Sequence, residues 1–591
     1  MKNYKELVKK YGGQIFIIIL SMLFLCTFIS RKEGYHMDEI LAYQLANAEY
    51  NPWIVPTQPV GRLAKFMGEH IDGENLGETV SNIGFIVQDT LKNRGSSILA
   101  NYKADVYDAP VWINREMFQD YVRCESNDDF NLLSVYFNVK DDNHPPVHFM
   151  LLHLMTSVFK GEISVWHGCV INLGAMAGVL WILGLLGEQV FKNKKNIYTV
   201  MIFAGFSIGM VATTLWIRMY ALLTLWVVWS LYLHVCKVLC VKEEGFVRVN
   251  KKSGKEKWLG SMGLFWVTVL MFWTQYFGLF FVLPQAFVTV LILFKHKRIK
   301  EIWAYVRTMI TAAVVGVCVY PFAIGDVFLS ERGTEALSQW ENGLAEYVGR
   351  LQSFGGILAK NVASNEILFV VLILIPAVTL LFGYKKSGTD VAERFDVETF
   401  VLCGVPTLVY FLLAAKMSPY FVDRYIMAIF PITAFIIVWL WDGAESVWFH
   451  QKNFPKILLI SLGILLAVFQ SVNMKGHHSY LYTGYEKQLE VSRAYKAYPL
   501  VCLYQGYGFY ENVMEMEQYE QTMLVKPEEL KNMDESRRKA TEDGYVLLIK
   551  YPGDEAGKEQ LEQVMEVFGG ADAELIYEGS VHGDVIYFIG N

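Results

Sequence analysis

The sequence predicts an α-helical protein that crosses a membrane many times and carries a small α/β domain at its C-terminal end. Of its 591 residues, 53% are hydrophobic and 15% are aromatic, and the mean hydropathy is +0.28. A soluble protein of this size is less apolar. The apolar residues are gathered into eleven runs that approach the ~20 residues needed to cross a bilayer. The predicted spans are 14–30, 163–188, 197–215, 218–239, 259–274, 277–294, 304–324, 365–383, 398–415, 425–441 and 456–473.

Two polar regions interrupt this pattern and predict the domain organisation. Residues 1–473 form the membrane domain, whose first external loop covers 31–143, and residues 479–591 form a separate α/β domain. In the loop, the predicted helices are 38–48, 60–67 and 76–91, with further short helices within 107–137. In the tail, the predicted strands are 500–504, 522–525, 545–551, 575–578 and 585–589, with helices at 507–519 and 554–568.

The charges between the spans predict the orientation of the chain. The apolar stretch 147–159 is about 13 residues long, which is short for a span. If it lies at the membrane interface, the basic segments 192–195, 237–257 and 295–300 all fall on the cytoplasmic side, as positively charged loops should. The loop 31–143, with 18 acidic and 10 basic residues, and the tail 474–591, with 21 and 11, then lie outside. We therefore expect a multi-pass protein of the cytoplasmic (plasma) membrane with its N-terminus inside and its C-terminal domain outside.

Composition also excludes several classes of partner and cofactor. The net charge of −7 gives no reason to expect a nucleic-acid partner, and the acidity of the tail argues against direct binding to anionic polymers. The eight cysteines show no CxxC or Cys/His spacing, so a structural zinc site is not expected. The basic N-terminus and first apolar run lack a small-x-small cleavage site, which favours a retained span over a signal peptide.

An acidic pair, Asp38 and Glu39, follows the first span by about eight residues. Adjacent residues on a helix point roughly 100° apart, so one carboxylate can face a substrate while the other braces it. A carboxylate in this position can accept a proton from an attacking hydroxyl. The alternative is a pair of helix N-terminal acids, which the helix dipole favours.

His144, Pro145 and Pro146 close the polar insert. Two prolines fix the backbone at the entry of the next helix, which places His144 at a defined position. There it can bind a phosphate or hydrogen-bond an acid, or it is simply a solvated histidine at a helix start. Asp141 and Asp142 are either acids that support this histidine or ordinary loop charges, and we favour loop charges.

Two arginines at predicted external span ends, Arg218 and Arg424, are candidates for binding phosphate. Arginine offers a fork of donors that matches phosphate, and it can stabilise charge that develops on a leaving phosphate. The alternative is a pair of interface anchors. Tyrosines in the positions of Tyr220, Tyr276 and Tyr425 are more often members of an aromatic belt than ligand-binding residues.

Together these motifs resemble those of the protein O-mannosyltransferases and their bacterial relatives, which are GT-C-fold glycosyltransferases that use polyprenyl-phosphate sugars. The resemblance begins with the Asp38-Glu39 and His144-Pro145-Pro146 motifs. The Arg-x-Tyr of the bacterial members matches Arg218-Met219-Tyr220, their late Arg-Tyr with a following proline matches Arg424-Tyr425 and Pro431, and their aromatic turn resembles Gln275-Tyr276-Phe277-Gly278. The resemblance covers roughly residues 14–440 and not the tail.

The resemblance implies a GT-C fold of about eleven transmembrane helices and a mannosyltransferase-like reaction. Asp38 corresponds to the catalytic base, and Glu39 and His144 belong to the motifs around it. Arg218 and Arg424 are then expected at the donor phosphate, with Tyr220, Gln275, Tyr276 and Tyr425 lining the substrate site. The sugar, a hexose or a pentose, would move to a glycan, lipid or protein acceptor. No cofactor is required, although Asp38 and Glu39 are able to hold a divalent metal.

The chain departs from the family at two places. The bacterial relatives usually have an acidic-small pair ahead of Arg-x-Tyr, where this chain has Trp216-Ile217. The eukaryotic enzymes usually continue His-Pro-Pro with Leu-Gly-Lys, where this chain has Val147-His148-Phe149. Protein mannosylation therefore does not carry over.

Two other functions are weighed against this one. A transporter or flippase of a lipid-linked saccharide predicts ionisable residues deep inside the spans, whereas the charged candidates here lie at one predicted surface. A non-catalytic membrane scaffold would not need the Asp-Glu and His-Pro-Pro motifs.

Overall fold

The computed structural model divides into two compact units, which are described separately below. Unit 1 contains Met1–Arg31, Lys140–His148 and Gly168–His478, and unit 2 contains Lys32–Val139, Phe149–His167 and Ser479–Asn591. The described residues are 2–49, 59–60, 70–71, 73, 76–92, 105–106, 110, 112–124, 128–142, 144–191, 194–246, 254–328, 338–341, 343–387, 396–448, 465–466, 469–470, 478–506, 508–533, 541–550, 556–579 and 581–590.

Unit 1 is helical in its described part. Its α-helices are Lys2–Ile29, Val165–Val190, Lys194–Gly205, Ile208–Leu215, Tyr220–Phe246, Gly254–Phe272, Leu279–Lys295, Ile299–Val319, Ala323–Phe328, Leu344–Ala363, Glu366–Ser387, Val397–Met417 and Phe430–Trp448. Short 3-10 helices lie at Tyr276–Gly278, Gln339–Glu341 and Asp423–Ile429, and a further one at Val139–Asp141 leads into it from unit 2.

The described residues contain seven helices that are long and apolar enough to cross a membrane, or nine if each of two bent pairs counts as one span. The single helices are Lys10–Ile29, Val165–Val190, Tyr220–Lys242, Tyr276–Lys295, Ile299–Val319, Val397–Met417 and Asp423–Ala444, and the bent pairs join Lys195–Gly205 to Ile208–Leu215 and Leu344–Ala363 to Glu366–Phe382. The predicted polytopic helical fold class is therefore confirmed. The predicted span 259–274 falls on a shorter apolar helix, and 456–473 lies almost entirely outside the described residues.

The bend of 84° before Glu366–Phe382 has a local cause. Ser364 adopts a left-handed φ of 62°, which ends the preceding helix. The Asn365 side chain then accepts hydrogen bonds from the amides of Ile367 and Leu368, at 2.9 and 3.1 Å, and so caps the next helix. A span was predicted at 365–383, but the preceding helix, Leu344–Ala363, was not predicted.

Unit 2 combines helices with a mixed sheet. Its α-helices are Met37–Asn47, Leu76–Lys92, Arg115–Val122, Leu132–Asn138, Val147–Val158, Tyr485–Ala494, Val513–Met516 and Ala556–Phe568, and its 3-10 helices are Ser479–Leu481, Gly508–Asn512 and Pro527–Asn532. The strands are β1 (Pro59–Val60), β2 (Asp105–Val106), β3 (Trp112–Asn114), β4 (Leu500–Leu503), β5 (Gln521–Val525), β6 (Tyr545–Lys550), β7 (Asp572–Glu578) and β8 (Asp584–Gly590). The short apolar stretch predicted at 147–159 is the helix Val147–Val158.

The main sheet of unit 2 has the strand order β3-β5-β4-β6-β8-β7. Strand β4 runs parallel to both of its neighbours, and the other pairs are antiparallel. The five tail strands agree with the prediction, but β3 does not, because short helices and no strand were predicted within 107–137. Strand β3 comes from the first loop and pairs with β5, with Ile113 opposite Thr522. A three-residue strand is too short to show the alternation by which strands are recognised.

Charged residues lie inside unit 2 as well as on its surface. Lys550 and Asp584 are opposite each other on β6 and β8, and their side chains pair at 2.6 Å with no exposure to solvent. The Lys550 ammonium also lies 3.1 Å from Glu511. Buried charges are tolerated when they are paired and hydrogen-bonded, so this cluster is bound into the fold of the domain.

Glu515 extends the same network. Its Oε1 accepts hydrogen bonds from the amides of Gln488, at 2.6 Å, and Asn512, at 2.9 Å. Both amides also donate to Asp584, at 2.7 Å. Burial, followed by the charge of Asp584, raises the pKa of Glu515 to about 7.

The raised pKa of Glu515 predicts a pH-dependent loss of stability. A carboxyl with a folded pKa near 7 and an unfolded value near 4.5 favours the folded state fully only below about 4.5, and this contribution is lost as the pH rises through 7. A Glu515→Gln variant should therefore be more stable than the native protein at pH 8, by up to about 3 kcal/mol, and similar to it at pH 5. Thermal unfolding of the purified protein at the two pH values measures this difference.

The matched control is Glu486→Gln, because Glu486 forms an exposed ion pair with Arg493 in the same unit. It should leave the pH dependence unchanged. If Glu515→Gln and Glu486→Gln follow the native pH profile equally, the buried carboxyl does not titrate as described.

Candidate functional site

The acidic pair of unit 2 divides into one buried and one partly exposed carboxylate. His36 caps the helix Met37–Asn47, and its Nδ1 accepts a hydrogen bond from the amide of Asp38 at 3.1 Å. The Glu39 carboxylate completes a capping box by accepting from the amide of His36 at 2.9 Å. It also pairs with Lys32 at 2.9 Å, and both of these side chains are fully buried.

Asp38 keeps access to solvent, with 21% of its side chain exposed. Its Oδ2 lies 3.6 Å from Nδ1 of His36. The positions of Asp38 and Glu39 agree with one residue facing outward and the other bracing the helix start. A partly exposed carboxylate can receive a proton from a bound hydroxyl, whereas Glu39 is committed to Lys32 and the helix cap.

His144, Arg218 and Asp142 meet in unit 1. His144 Nδ1 lies 2.8 Å from the Asp142 carbonyl and 2.9 Å from its carboxylate, so this nitrogen carries a proton and donates it to Asp142. Arg218 is buried, and its Nη2 lies 3.6 Å from the Asp142 carboxylate and 3.4 Å from His144 Nδ1. Because that ring nitrogen is a donor, Asp142 is the partner of Arg218. Asp142 was predicted to be a loop charge in preference to an acid that supports the histidine, and its pairing with Arg218 was not predicted.

The His-Pro-Pro backbone sets this geometry. Pro145 and Pro146 are buried, and the helix Val147–Val158 starts directly after them. The Val147 amide donates to the carbonyl of Trp273 at 3.2 Å. Asn143 lies outside the described residues.

His148, one residue into that helix, is fully buried. Burial lowers the pKa of His148 to about 3, and the nearby side chains of Arg218 and His144 act in the same direction. His148 is therefore neutral near pH 7, and it adds no charge beside the arginine.

Trp216 brings the second arginine to the same neighbourhood. The amide of Arg218 donates to the Trp216 carbonyl at 2.8 Å. The guanidinium of Arg424 lies 5.2 Å from the centroid of the Trp216 ring and 5.6 Å from that of Tyr425. Asn172 fixes the Trp216 carbonyl from the other side, through its side-chain amide at 2.7 Å. Residues of two predicted motifs, Arg-x-Tyr and the late Arg-Tyr, thus lie around one tryptophan.

Phe277, in the aromatic turn Gln275-Tyr276-Phe277-Gly278, contacts the region around Trp216 and Arg424 through Tyr425. Phe277 packs against Tyr425, with ring centroids 5.6 Å apart, and the Tyr425 carbonyl accepts a hydrogen bond from Tyr410 at 3.1 Å. Tyr276 itself donates to Asp326 at 2.6 Å, an acid that the sequence analysis did not select.

Tyr220 and Gln275 are both buried in unit 1. The carbonyl of Tyr220 accepts a hydrogen bond from Thr224, at 2.8 Å, in the helix that Tyr220 begins. Gln275 precedes the turn Tyr276–Gly278. Their contribution to a substrate site stays a prediction.

The predicted site residues fall in both units. Asp38 and Glu39 belong to unit 2, and the other seven belong to unit 1. A single site that combines the two groups stays a prediction. Among the described residues, no group of three or more His, Cys, Asp or Glu side chains is arranged to hold a metal ion.

No protein-family model matches this sequence, and no curated protein matches it. Its structure is similar to two crystal structures of ArnT from Cupriavidus metallidurans, one bound to undecaprenyl phosphate and one in the apo state. Each shares 10% sequence identity with this chain at a TM-score of 0.43, and the alignment covers 80% of this chain and 91% of the ArnT chain. At this identity and TM-score, the similarity says nothing about what this chain binds or transfers.

Proposed function

We propose that this chain is a GT-C-type membrane glycosyltransferase that moves a sugar from a polyprenyl-phosphate donor to an acceptor at the outer face of the cytoplasmic membrane. The observation that carries the proposal is the grouping of His144, Arg218 and Arg424 around Asp142 and Trp216 in unit 1. These residues come from three separate motifs of the sequence. Their meeting at the ends of apolar helices fits a site for an anionic, lipid-linked ligand.

The arginines suit a phosphate chemically. A guanidinium stacked on an aromatic ring uses its face, while its N–H donors lie in its plane, where they can reach phosphate oxygens. The guanidinium of Arg424 lies 5.2 Å from the centroid of the Trp216 ring, within the range of a cation–π contact. Arg218 is positioned by Asp142, so its charge is oriented before a ligand arrives.

In the proposed reaction, an acceptor hydroxyl attacks the anomeric carbon of the sugar and gives its proton to Asp38. The bond between that carbon and the phosphate oxygen breaks, and the polyprenyl phosphate leaves with the electron pair. Arg218 and Arg424 stabilise the charge on the leaving phosphate. One base is sufficient because a phosphate leaves without strong protonation, and a single displacement inverts the anomeric configuration.

A transporter or flippase remains the second candidate function, and the contacts of His234 are relevant to it because a transporter needs ionisable residues inside its spans. His234 lies inside the span Tyr220–Lys242 and is buried. Its Nδ1 contacts the Ser230 carbonyl at 2.8 Å, and its Nε2 contacts the Tyr305 hydroxyl at 2.9 Å. Because both ring nitrogens are satisfied by neighbouring groups, we interpret His234 as an interhelical contact, which favours the transferase.

The role of Asp38 predicts a loss of catalysis without a loss of folding. Asp38→Asn keeps the size of the side chain but removes the base, so the transfer rate should fall by a factor of roughly 10² to 10⁴. Sugar transfer from a lipid-linked donor in purified membranes measures this rate. Glu116→Gln, an exposed carboxylate in the same loop, is the matched control and should be fully active. Full activity of Asp38→Asn would remove Asp38 as the base.

The arginines predict an effect on donor use. Arg218→Lys and Arg424→Lys keep the charge but lose the donor fork, so kcat/KM for the lipid donor should fall about tenfold or more in each. Arg307→Ala, an exposed arginine of unit 1, serves as the control and should be unchanged. Unchanged donor kinetics in both lysine variants would show that the phosphate is bound elsewhere.

The proposed orientation predicts which positions a membrane-impermeant thiol reagent reaches in intact cells. Cysteines introduced at Met117 and Glu486, both exposed in unit 2, should be labelled, because this unit is expected outside. A cysteine at Lys300, in a segment expected inside, should react only after permeabilisation. The reverse pattern would overturn the orientation. Native Cys502 is buried and does not serve as a reporter.

A further inference from the structure

The C-terminal residues of unit 2 contact the segment that leads into the acidic pair. We propose that the C-terminal domain fixes the position of Asp38, and that Lys32 is the positioning residue through which it does so. This inference rests on the proposed role of Asp38 as a base, and it assigns a role to the part of the chain that the family resemblance does not cover.

Lys32 makes the first link. Its fully buried ammonium donates to the Glu39 carboxylate at 2.9 Å and to the Tyr480 carbonyl at 2.9 Å. The ammonium also lies 4.7 Å from the centroid of the Tyr482 ring. One side chain therefore joins the first turn of the helix Met37–Asn47 to the segment 480–482 across more than 400 residues of sequence.

Glu33 makes a second link beside it. Its amide donates to the Leu481 carbonyl at 2.8 Å, and its carboxylate accepts a hydrogen bond from the Gly484 amide at 2.6 Å. Gly484 has a φ of 102°, a conformation that other residues rarely adopt. The segment 480–484 is thus shaped to receive residues 32–33.

The receiving segment is anchored in the interior of the domain. The rings of Tyr482 and Tyr485 pack against His582, with centroids 5.5 and 5.4 Å away. Tyr485 is buried, and its hydroxyl donates to Glu515 within the buried polar network. Lys32 is therefore tied to a folded core rather than to a loose tail.

This arrangement restrains Asp38 through its neighbour. Glu39 is held by Lys32 on one side, and the same carboxylate oxygen holds the amide of His36 on the other. Asp38 lies between His36 and Glu39 in the sequence, and both of these residues are held by these hydrogen bonds. When a catalytic group is misplaced by about 1 Å, the reaction rate can fall by a factor of up to roughly 10². A carboxylate on a freely moving segment would therefore be a poor base.

The test uses the full-length protein in membranes, with three variants that change Lys32 and one control variant. Lys32→Met removes both donated bonds and should lower kcat by about tenfold to a hundredfold while the KM for the lipid donor stays within about twofold, because donor binding is assigned to unit 1. Lys32→Arg keeps a buried donor and should recover most of the lost kcat. Arg493→Met, which breaks an exposed ion pair of the same domain, is the control and should match the native enzyme.

The third variant, Lys32→Met/Glu39→Gln, separates positioning from stability. Removing both charges avoids a lone buried carboxylate, so the unfolding temperature should return close to the native value. The link to Tyr480 is still missing, and kcat should therefore stay low.

Three results would overturn the inference. The first is a native kcat in folded Lys32→Met, and the second is a native kcat in the double variant. The third is a changed KM for the lipid donor while kcat stays native. The Asp38→Asn variant, assayed in parallel, distinguishes a failure of the proposed function from a failure of the positioning role. If that variant is fully active, the proposed function fails, whereas an inactive Asp38→Asn beside a fully active Lys32→Met contradicts only the positioning role.

Discussion

The ion pair between Lys32 and Glu39 places two opposite charges where neither side chain meets water. Such a pair is favourable only when its remaining hydrogen-bonding capacity is used, and the loss of one partner costs about 3–5 kcal/mol. Here the capacity is used by the His36 amide and by the Tyr480 carbonyl. The cost of burial thus enforces a connection between the start of one helix and a distant part of the chain, and the accessible carboxylate of Asp38 depends on it.

The same requirement is met at Arg218 in unit 1. The two residues directly ahead of it in the sequence are Trp216 and Ile217, so neither of them can supply a counter-ion. Arg218 is nevertheless paired, because Asp142 from the His-Pro-Pro segment lies 3.6 Å away. Because the counter-ion comes from another segment, the position two residues ahead of Arg218 can be held by Trp216, whose ring centroid lies 5.2 Å from the guanidinium of Arg424.

The sequence predicted the parts of the fold that have a long repeating pattern. Long apolar runs gave the spans Val165–Val190 and Val397–Met417, and short apolar runs gave the tail strands such as Tyr545–Lys550. Strand β3 and the ion pairs of Lys32 and Asp142 were not predicted. They depend on contacts between residues that are distant in sequence, which no local periodicity records. For the candidate site, the helix start near Asp38 and the division of the acidic pair into one outward and one bracing residue were predicted from helix geometry, but the pairing of Glu39 with Lys32 was not.

Burial also changes what the charge of the tail means. The sequence assigns an excess of acidic residues to 474–591, but Glu511, Glu515, Glu517 and Asp584 are buried. Lys550 and Arg123 lie against three of these carboxylates. A polymer or a sugar that approaches the domain meets only the exposed charges, so the field outside is weaker than the sequence count implies. The acidity of the tail therefore argues less strongly against an anionic partner than composition alone suggested. The four buried carboxylates hold the domain, and with it residues 32–39, in one arrangement.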